Sequence, residues 1–397
     1  MASSAAVNLT PRAEAALSRR VASMSRSAIR EIMALAAGRS DVIHLEVGEP
    51  DFGTPPAIIE AAFEKVRAGA TRYTPNAGVM RLRELIARRA SERAGVTIEA
   101  EQVIVTTGAI GALFTAIFLA ADPGDEILIP DPGWPNYNSI CHLAGAKAVR
   151  YALRPEDDFV PDPDALSRLV TPATKAILLN SPGNPTGAVF PRAQMEAIGR
   201  LARERGIYLI SDEIYEDILF SGEHVSAAAV APSEQVMIVS GLSKTYAMTG
   251  WRLGYLVVPA SIASYAAGLQ EPITSCPSAP SQMAAIAALE GPQDMIPEFR
   301  EIFRRRRDIL MEVFAGTDLV PAVPQGAFYG LVDISASGQG SLAFAKQFLT
   351  GRGVALVPGI TFGPSCDRFV RVAFTIADDS LRDGLVRLRD YLQAGPR

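Results

Sequence analysis

Short apolar runs recur through the middle of the chain, at residues 103–105, 127–129, 176–179, 207–210, 236–239 and 253–258. Each ends in a loop of Gly, Pro, Asp or Ser and is followed by a stretch whose apolar positions return with helical spacing. That alternation predicts a doubly wound, mostly parallel sheet, because parallel neighbours are joined by crossover helices that cover the sheet faces. The runs share no sequence similarity, so the chain is not a repeat array. Before them, SAIREIMALAA at 27–37 places Ile29, Ile32, Met33 and Ala36 on one face of an amphipathic helix that Gly38 stops. After them, the charged stretch 297–314 predicts a helix, and strand candidates at 328–332, 353–357 and 369–374 lead to a last helix at 380–392. This C-terminal part reads as a smaller α+β domain. Residues 1 to about 20, rich in Ala, Ser and Arg without an apolar period, read as a mobile arm or a segment that clasps a partner.

At 397 residues the chain is long enough for one large domain and a smaller companion. No stretch approaches the roughly 20 uncharged apolar residues that a membrane-spanning helix needs. With 38 Lys and Arg against 43 Asp and Glu, the formal charge of −5 gives no general reason to expect nucleic acid or an anionic membrane as partner. The run Arg304 to Arg307 accordingly reads as a solvated helix face. Cys141, Cys276 and Cys366 lie far apart without metal-ligand spacing, which points away from disulfides and structural zinc and toward a reducing cytoplasm. Arg12, Arg19 and Arg20 accompany no apolar segment of signal-peptide length.

In an open α/β sheet ligands bind beyond the carboxyl ends of the strands, so the residues just after each run carry the chemistry. After 103–105 comes TTGAIGALFTAI, where Gly108 and Gly111 open a helix whose free N–H groups and dipole suit a phosphate; the same glycines also suit a plain strand-to-helix turn. PDPGWPNY follows 127–129, with Trp134 either core or a flat platform. NSPGNPTG after 176–179 is a rigid turn that can aim the Asn184 amide at a ligand oxygen, or simply turn. SDEIYEDI sets Asp212 and Tyr215 close behind a strand, where Asp212 alone reads as readily as a helix cap. In SGLSKTYAMTGWRLGY, Lys244 stands where burial lowers an amine pKa and frees the neutral, nucleophilic form, with Arg252 eight residues later. A lysine snorkelling from a strand end is the plainer alternative. Each motif is ambiguous alone, but all fall on comparable strand ends and supply complementary groups for one ligand.

From about residue 27 to 392 the chain resembles the fold-type I, class I/II aminotransferases, with VGEPDF, YTPNAG, SPGNPTG, SDEIYED and SKTYAMTGWRLGY in that family's order. The resemblance implies pyridoxal 5'-phosphate held as a Schiff base on Lys244, with Asp212 keeping the pyridine nitrogen protonated so that the ring accepts carbanion electrons. It implies Tyr215 and Asn184 at the phenolic oxygen, Trp134 stacked on the ring, and Arg252, Ser243 and the amides of Gly108, Ala109 and Ile110 at the phosphate. Tyr73 in YTPNAG would reach the phosphate of a neighbouring subunit, which implies a homodimer with shared active sites. Arg371 in FVRVAF would bind the substrate α-carboxylate through its planar fork, with Gly48 and Asn184 closing the same site. Because Gly48 and Arg371 come from opposite ends of the chain, the small domain would combine residues 1–49 with 291–397 around a large cofactor domain at 50–290. The implied activity is a ping-pong transfer between a small-molecule amino acid and a 2-oxo acid, with Lys244 moving the proton and no metal required.

Two positions depart from the family pattern. Ile110 stands where some aspartate-using members carry Lys, which predicts that aspartate is a poor donor. Gly241 stands where some carry a phosphate-binding Ser, a role that would pass to Ser240 or Ser243. The same apparatus serves lyases, cyclising enzymes and carbon–carbon bond-forming enzymes, which form the alternative function. A ligand-sensing transcription regulator on this fold would need an added DNA-binding domain, for which the residues before the first helix are too few.

Overall fold

The computed structural model describes residues 17–24 and 28–394, so most of the expected arm at 1–20 lies outside the described residues, as does Ser27. In chain order, β1 (Ile43–His44) belongs to the smaller domain. The larger domain holds β2 (Val103–Thr106), β3 (Glu126–Asp131), β4 (Lys147–Ala152), β5 (Thr174–Asn180), β6 (Tyr208–Asp212), β7 (Val236–Gly241) and β8 (Gly254–Val257). The chain then returns to the smaller domain with β9 (Tyr329–Asp333), β10 (Val354–Ala355), β11 (Val357–Pro358) and β12 (Phe369–Ala373). The large sheet runs β2-β8-β7-β6-β5-β3-β4. Strands β4, β3, β5, β6 and β7 pair in parallel, while β8 is inserted antiparallel between β7 and β2. A large α/β domain thus carries a smaller domain built from both chain ends.

Strand β5 shows why the central runs are apolar at every position. Ile177 and Leu179 pack into the core on one face of the sheet, Ala176 and Leu178 into the core on the other, and all four are 0% exposed. A strand covered on both faces has no solvent side to carry polar residues. Each buried Ile or Leu contributes about 1.5–3 kcal/mol of transfer free energy. The helix Gly108–Ala120 is equally apolar because it lies between the sheet and the helices Pro135–Ala144 and Ala263–Thr274.

The structure departs from the sequence pattern where burial is one-sided. Strand β4 escapes an apolar reading because it is the sheet edge, with Lys147 and Ala152 exposed and only Tyr151 buried. The expected strand at 353–357 is two short strands in different sheets, β10 parallel to β1 and β11 antiparallel to β12. The Arg304 to Arg307 run is not a uniformly solvated face. Arg306, on the helix Met295–Val313, is buried, donates to both carboxylate oxygens of Asp51 at 2.7 and 2.8 Å, and reaches Asp378 at 3.1 Å. A lone buried guanidinium would be costly, and the paired geometry at Asp51 offsets that cost. Among the described residues no helix is long and apolar enough to cross a membrane.

Candidate active site

Strands β5, β6 and β7 end at one edge of the sheet, at Asn180, Asp212 and Gly241, and a cavity of about 510 Å³ lies there, lined by Asn180 and Asp212. Strand β6 runs past its expected end, so Asp212 is its last residue and not a helix cap. The Tyr137 hydroxyl donates to its Oδ2 at 2.8 Å and the Ile214 N–H to its Oδ1 at 3.3 Å. Burial pushes the Asp212 carboxyl up to about 6, against the opposing pull of the Tyr137 bond. The group is therefore mostly ionised at neutral pH, in surroundings that reward a cationic partner. Asn180 ties the neighbouring loops together, its amide donating to the Asp212 carbonyl at 3.0 Å and its Oδ1 accepting the Asn184 N–H at 2.8 Å.

Lys244 follows β7 and donates from Nζ to the Gly48 carbonyl at 2.7 Å. Burial pulls its ammonium down to about 8, so the neutral amine is accessible near physiological pH. The next residue anchors this turn from behind, the Thr245 hydroxyl donating to Asp217 at 2.7 Å. Asp217 also pairs with Arg89 at 2.8 Å and Arg93 at 2.5 Å, both from the helix Met80–Ala94. Residues 212–217 thus divide, Asp212, Ile214 and Tyr215 toward the cavity, Glu213, Glu216 and Asp217 into a polar layer beneath it. Glu213, Glu216 and His224 approach one another within 4.8 Å, a spacing that suits a metal ion. Arg93, however, ion-pairs with Glu216 and already supplies positive charge to the cluster.

At the other end of the cavity the helix Gly108–Ala120 begins against β8. Gly108 is left-handed at φ +71°, and a Cβ there would lie 2.6 Å from the Arg252 guanidinium. A Cβ on Gly254 would lie 2.3 Å from the Ala109 nitrogen, so the helix start rests directly on the strand backbone. Gly241 faces Gly254 in the β7–β8 register, and a Cβ on it would come within 2.9 Å of the Gly254 Cα. A serine at 241 would therefore require the β7–β8 pair to shift. Of the two suggested substitutes, Ser240 donates to Glu216 at 3.1 Å in the layer behind, and Ser243 lines the cavity.

The small domain closes the remaining side. Arg371 on β12 donates to Asn184 Oδ1 at 3.2 Å and to the Glu46 carbonyl at 2.7 Å, and its guanidinium lies over the rings of Tyr329 at 4.3 Å and Phe362 at 5.2 Å. Its Nε has no partner among the described residues. The Tyr215 and Tyr329 hydroxyls are 3.0 Å apart, and burial pushes both phenols up, which keeps them neutral.

Of the residues singled out from sequence, Lys244, Asp212, Tyr215, Asn184, Arg252 and Arg371 meet in this one cavity, with Gly48, Ala109, Ile110, Trp134 and Ser243 also on its wall. Gly108 stands just behind Arg252 at the helix start. Tyr73 lies elsewhere, 90% exposed. The sequence reading missed Tyr137, Asn180, Tyr329 and the wall residues Ile29 and Met33. Tyr137 and Asn180 were within reach, because they sit in the PDPGWPNY and NSPGNPTG loops already marked as strand ends. The assembled groups fit a flat anionic ligand: a carboxylate for a cationic ring nitrogen, a phenol and an amide for a ring oxygen, an amine for a carbonyl carbon, and an arginine at a helix start for a phosphate.

The sequence profile described as "Aminotransferase class I and II" matches residues 40–388. The aspartate/prephenate aminotransferase of Thermus thermophilus is 40% identical over 383 residues, 95% of this chain and 98% of that protein. The arginine–pyruvate transaminase of Pseudomonas aeruginosa is 37% identical over 350 residues, 88% of this chain and 89% of that protein. The solved structure of Thermus thermophilus aspartate aminotransferase with maleate has a TM-score of 0.90 at 39% identity, covering 94% of this chain and 99% of that one.

Proposed function

Because this chain belongs to the class I and II aminotransferase family, we propose that it moves an amino group from an amino acid to a 2-oxo acid by a ping-pong route on pyridoxal 5'-phosphate held by Lys244. The observation that carries the proposal is the pairing, in one cavity, of an amine pulled down to about 8 with a buried carboxylate that favours a cationic partner. When bound, pyridoxal phosphate supplies an electron sink for the charge left on the substrate α-carbon. Asp212 would keep the ring nitrogen protonated, and Trp134 would help to hold the ring. Tyr215 and the amide of Asn184 donate to the phenolic oxygen. Arg252, Ser243 and the N–H groups at Gly108, Ala109 and Ile110 bind the phosphate, where the helix dipole favours negative charge. Arg371 reads the substrate α-carboxylate with its planar fork, held by the Glu46 carbonyl and Asn184. Lys244 would hold the cofactor through its amine and, when free, its Nζ would be the base that moves the substrate α-proton. On this reading the small domain takes residues 1–49 and 291–397, and the large cofactor domain takes 50–290.

The test is a half-reaction. Loaded enzyme mixed with excess amino acid and no oxo acid is expected to change cofactor absorbance once, to a stable aminated form, and to release one oxo acid per site. Continued product release without an acceptor would instead make the protein a lyase or a related enzyme on the same apparatus.

The proposal extends to a homodimer with shared sites, in which Tyr73 donates to the cofactor phosphate of the partner. Tyr73→Phe is expected to weaken cofactor retention about tenfold, the loss of one hydrogen bond to a charged group. Mixing it with Lys244→Ala subunits should restore tight retention in the hybrid, where one site draws a normal Lys244 and a normal Tyr73 from different chains. Dialysis followed by cofactor absorbance measures this, and retention unchanged by mixing, or full activity in a monomer, would reject shared sites.

A further inference from the structure

We propose that the side-chain subsite of this cavity takes an apolar amino acid with a single carboxylate, and that Ile29 and Met33 of the helix Ala28–Ala36 form its wall together with Ile110. The inference rests on the roles given above to Arg371 and Arg252. Ile32 and Ala36, both buried, pack against Ala345 and Leu349 of the helix Ser341–Arg352, and Glu31 pairs with Lys346 at 2.5 Å. Those contacts fix the rotation of the N-terminal helix. Positions 29 and 33 are likewise one turn apart, on the adjoining stripe, and that stripe lines the cavity. Met33 is 44% exposed, an unbranched apolar chain at the cavity margin that can adapt to substrates of different shape.

Charge points the same way. The cations that line the cavity among the described residues are Lys244, Arg252 and Arg371, and each has its own task at the cofactor aldehyde, the phosphate and the α-carboxylate. Glu46 and Glu49 line the cavity as well, and Glu49 accepts the Thr249 hydroxyl at 2.9 Å. A second substrate carboxylate would give up its hydration among isoleucine, methionine and two acids, with no further cation among the described residues of this chain that line the cavity to replace it. An apolar side chain meets the same wall at no such cost and gains from leaving water.

The experiment uses loaded enzyme and unreactive carboxylates, with dissociation constants from titration calorimetry. We expect 3-phenylpropanoate to bind at least roughly tenfold more tightly than maleate, the effect of leaving one charged group unpaired. Met33→Arg should narrow or reverse that ratio, and Ile110→Lys should do so from the opposite wall if the first variant fails to fold. Arg371→Lys should weaken both ligands by similar factors, because both present the shared carboxylate. The kcat/KM values of phenylalanine and leucine should exceed those of aspartate and glutamate. Tighter maleate binding or an aspartate preference in the wild-type enzyme overturns the inference and leaves amino transfer standing. So does a preference for 5-guanidinopentanoate, which would assign selection to Glu46 and Glu49. Folded variants that leave the ratio unchanged reject Met33 and Ile110 as the wall. If no amino acid converts the cofactor in a single turnover, it is the aminotransferase reading that fails.

Discussion

Lys244→Ala is expected to abolish the absorbance of covalently held cofactor and to lower turnover by roughly 10⁴-fold or more, a loss typical of removing a nucleophile that also moves the proton. Both tasks sit on one atom. The Nζ lies 2.7 Å from the Gly48 carbonyl, on the wall of the cavity, and burial brings its neutral form within reach of physiological pH. Alanine removes the amine but leaves Thr245 bonded to Asp217 behind the turn, so the fold around the site should persist. Ultraviolet–visible spectra and steady-state rates on the folded variant check the claim; a wild-type spectrum together with wild-type rates would sink it.

Asp212→Ala should separate catalysis from binding. The phosphate end of the cavity and the lysine bond are untouched, so cofactor occupancy should fall little, while transamination should fall roughly 10²–10³-fold as the electrostatic partner of the ring nitrogen is lost. The same substitution site also bears on stability. The folded-state pKa of Asp212 is raised to about 6, so its contribution to the cofactor-free protein is fully present below the ordinary carboxyl range and is lost as pH rises through about 6. At pH 7 the ionised carboxylate is then a net burden on the empty fold, and Asp212→Asn should not lower the thermal midpoint of the cofactor-free enzyme. Cofactor content, rate and melting temperature on the same preparations decide the matter, and normal transamination by the alanine variant would return Asp212 to a structural role.

What could be read in the sequence follows from how each element is buried. β3, β5, β6 and β7 announce themselves because both faces are covered, which forces unbroken apolar runs, and the loops after them therefore mark the cavity floor. β4 has a single neighbour and a mixed surface, so its pattern is indistinct. The two-residue strands β1 and β10 are too short to show any period. In the site, residues on strand-end loops were legible because loop chemistry is local. Tyr329 was not, since its role depends on β9 meeting Tyr215 across 114 residues of chain. Ile29 and Met33 share one apolar helix face with Ile32 and Ala36 in the sequence pattern, and periodicity reports that a side chain is apolar and not whether protein or ligand will cover it.

Two contacts in the site join very distant parts of the chain: Lys244 to the Gly48 carbonyl across 196 residues, and Arg371 to the Glu46 carbonyl across 325. Bringing such remote segments together carries the loop-closure entropy that slows folding, whereas the helices and the neighbouring strands of the large sheet can form from nearer contacts. In a refolding chain, secondary structure is therefore expected to return before the cavity is complete. On the proposed function, uptake of pyridoxal phosphate would report when the segments around Gly48 and Arg371 have come together.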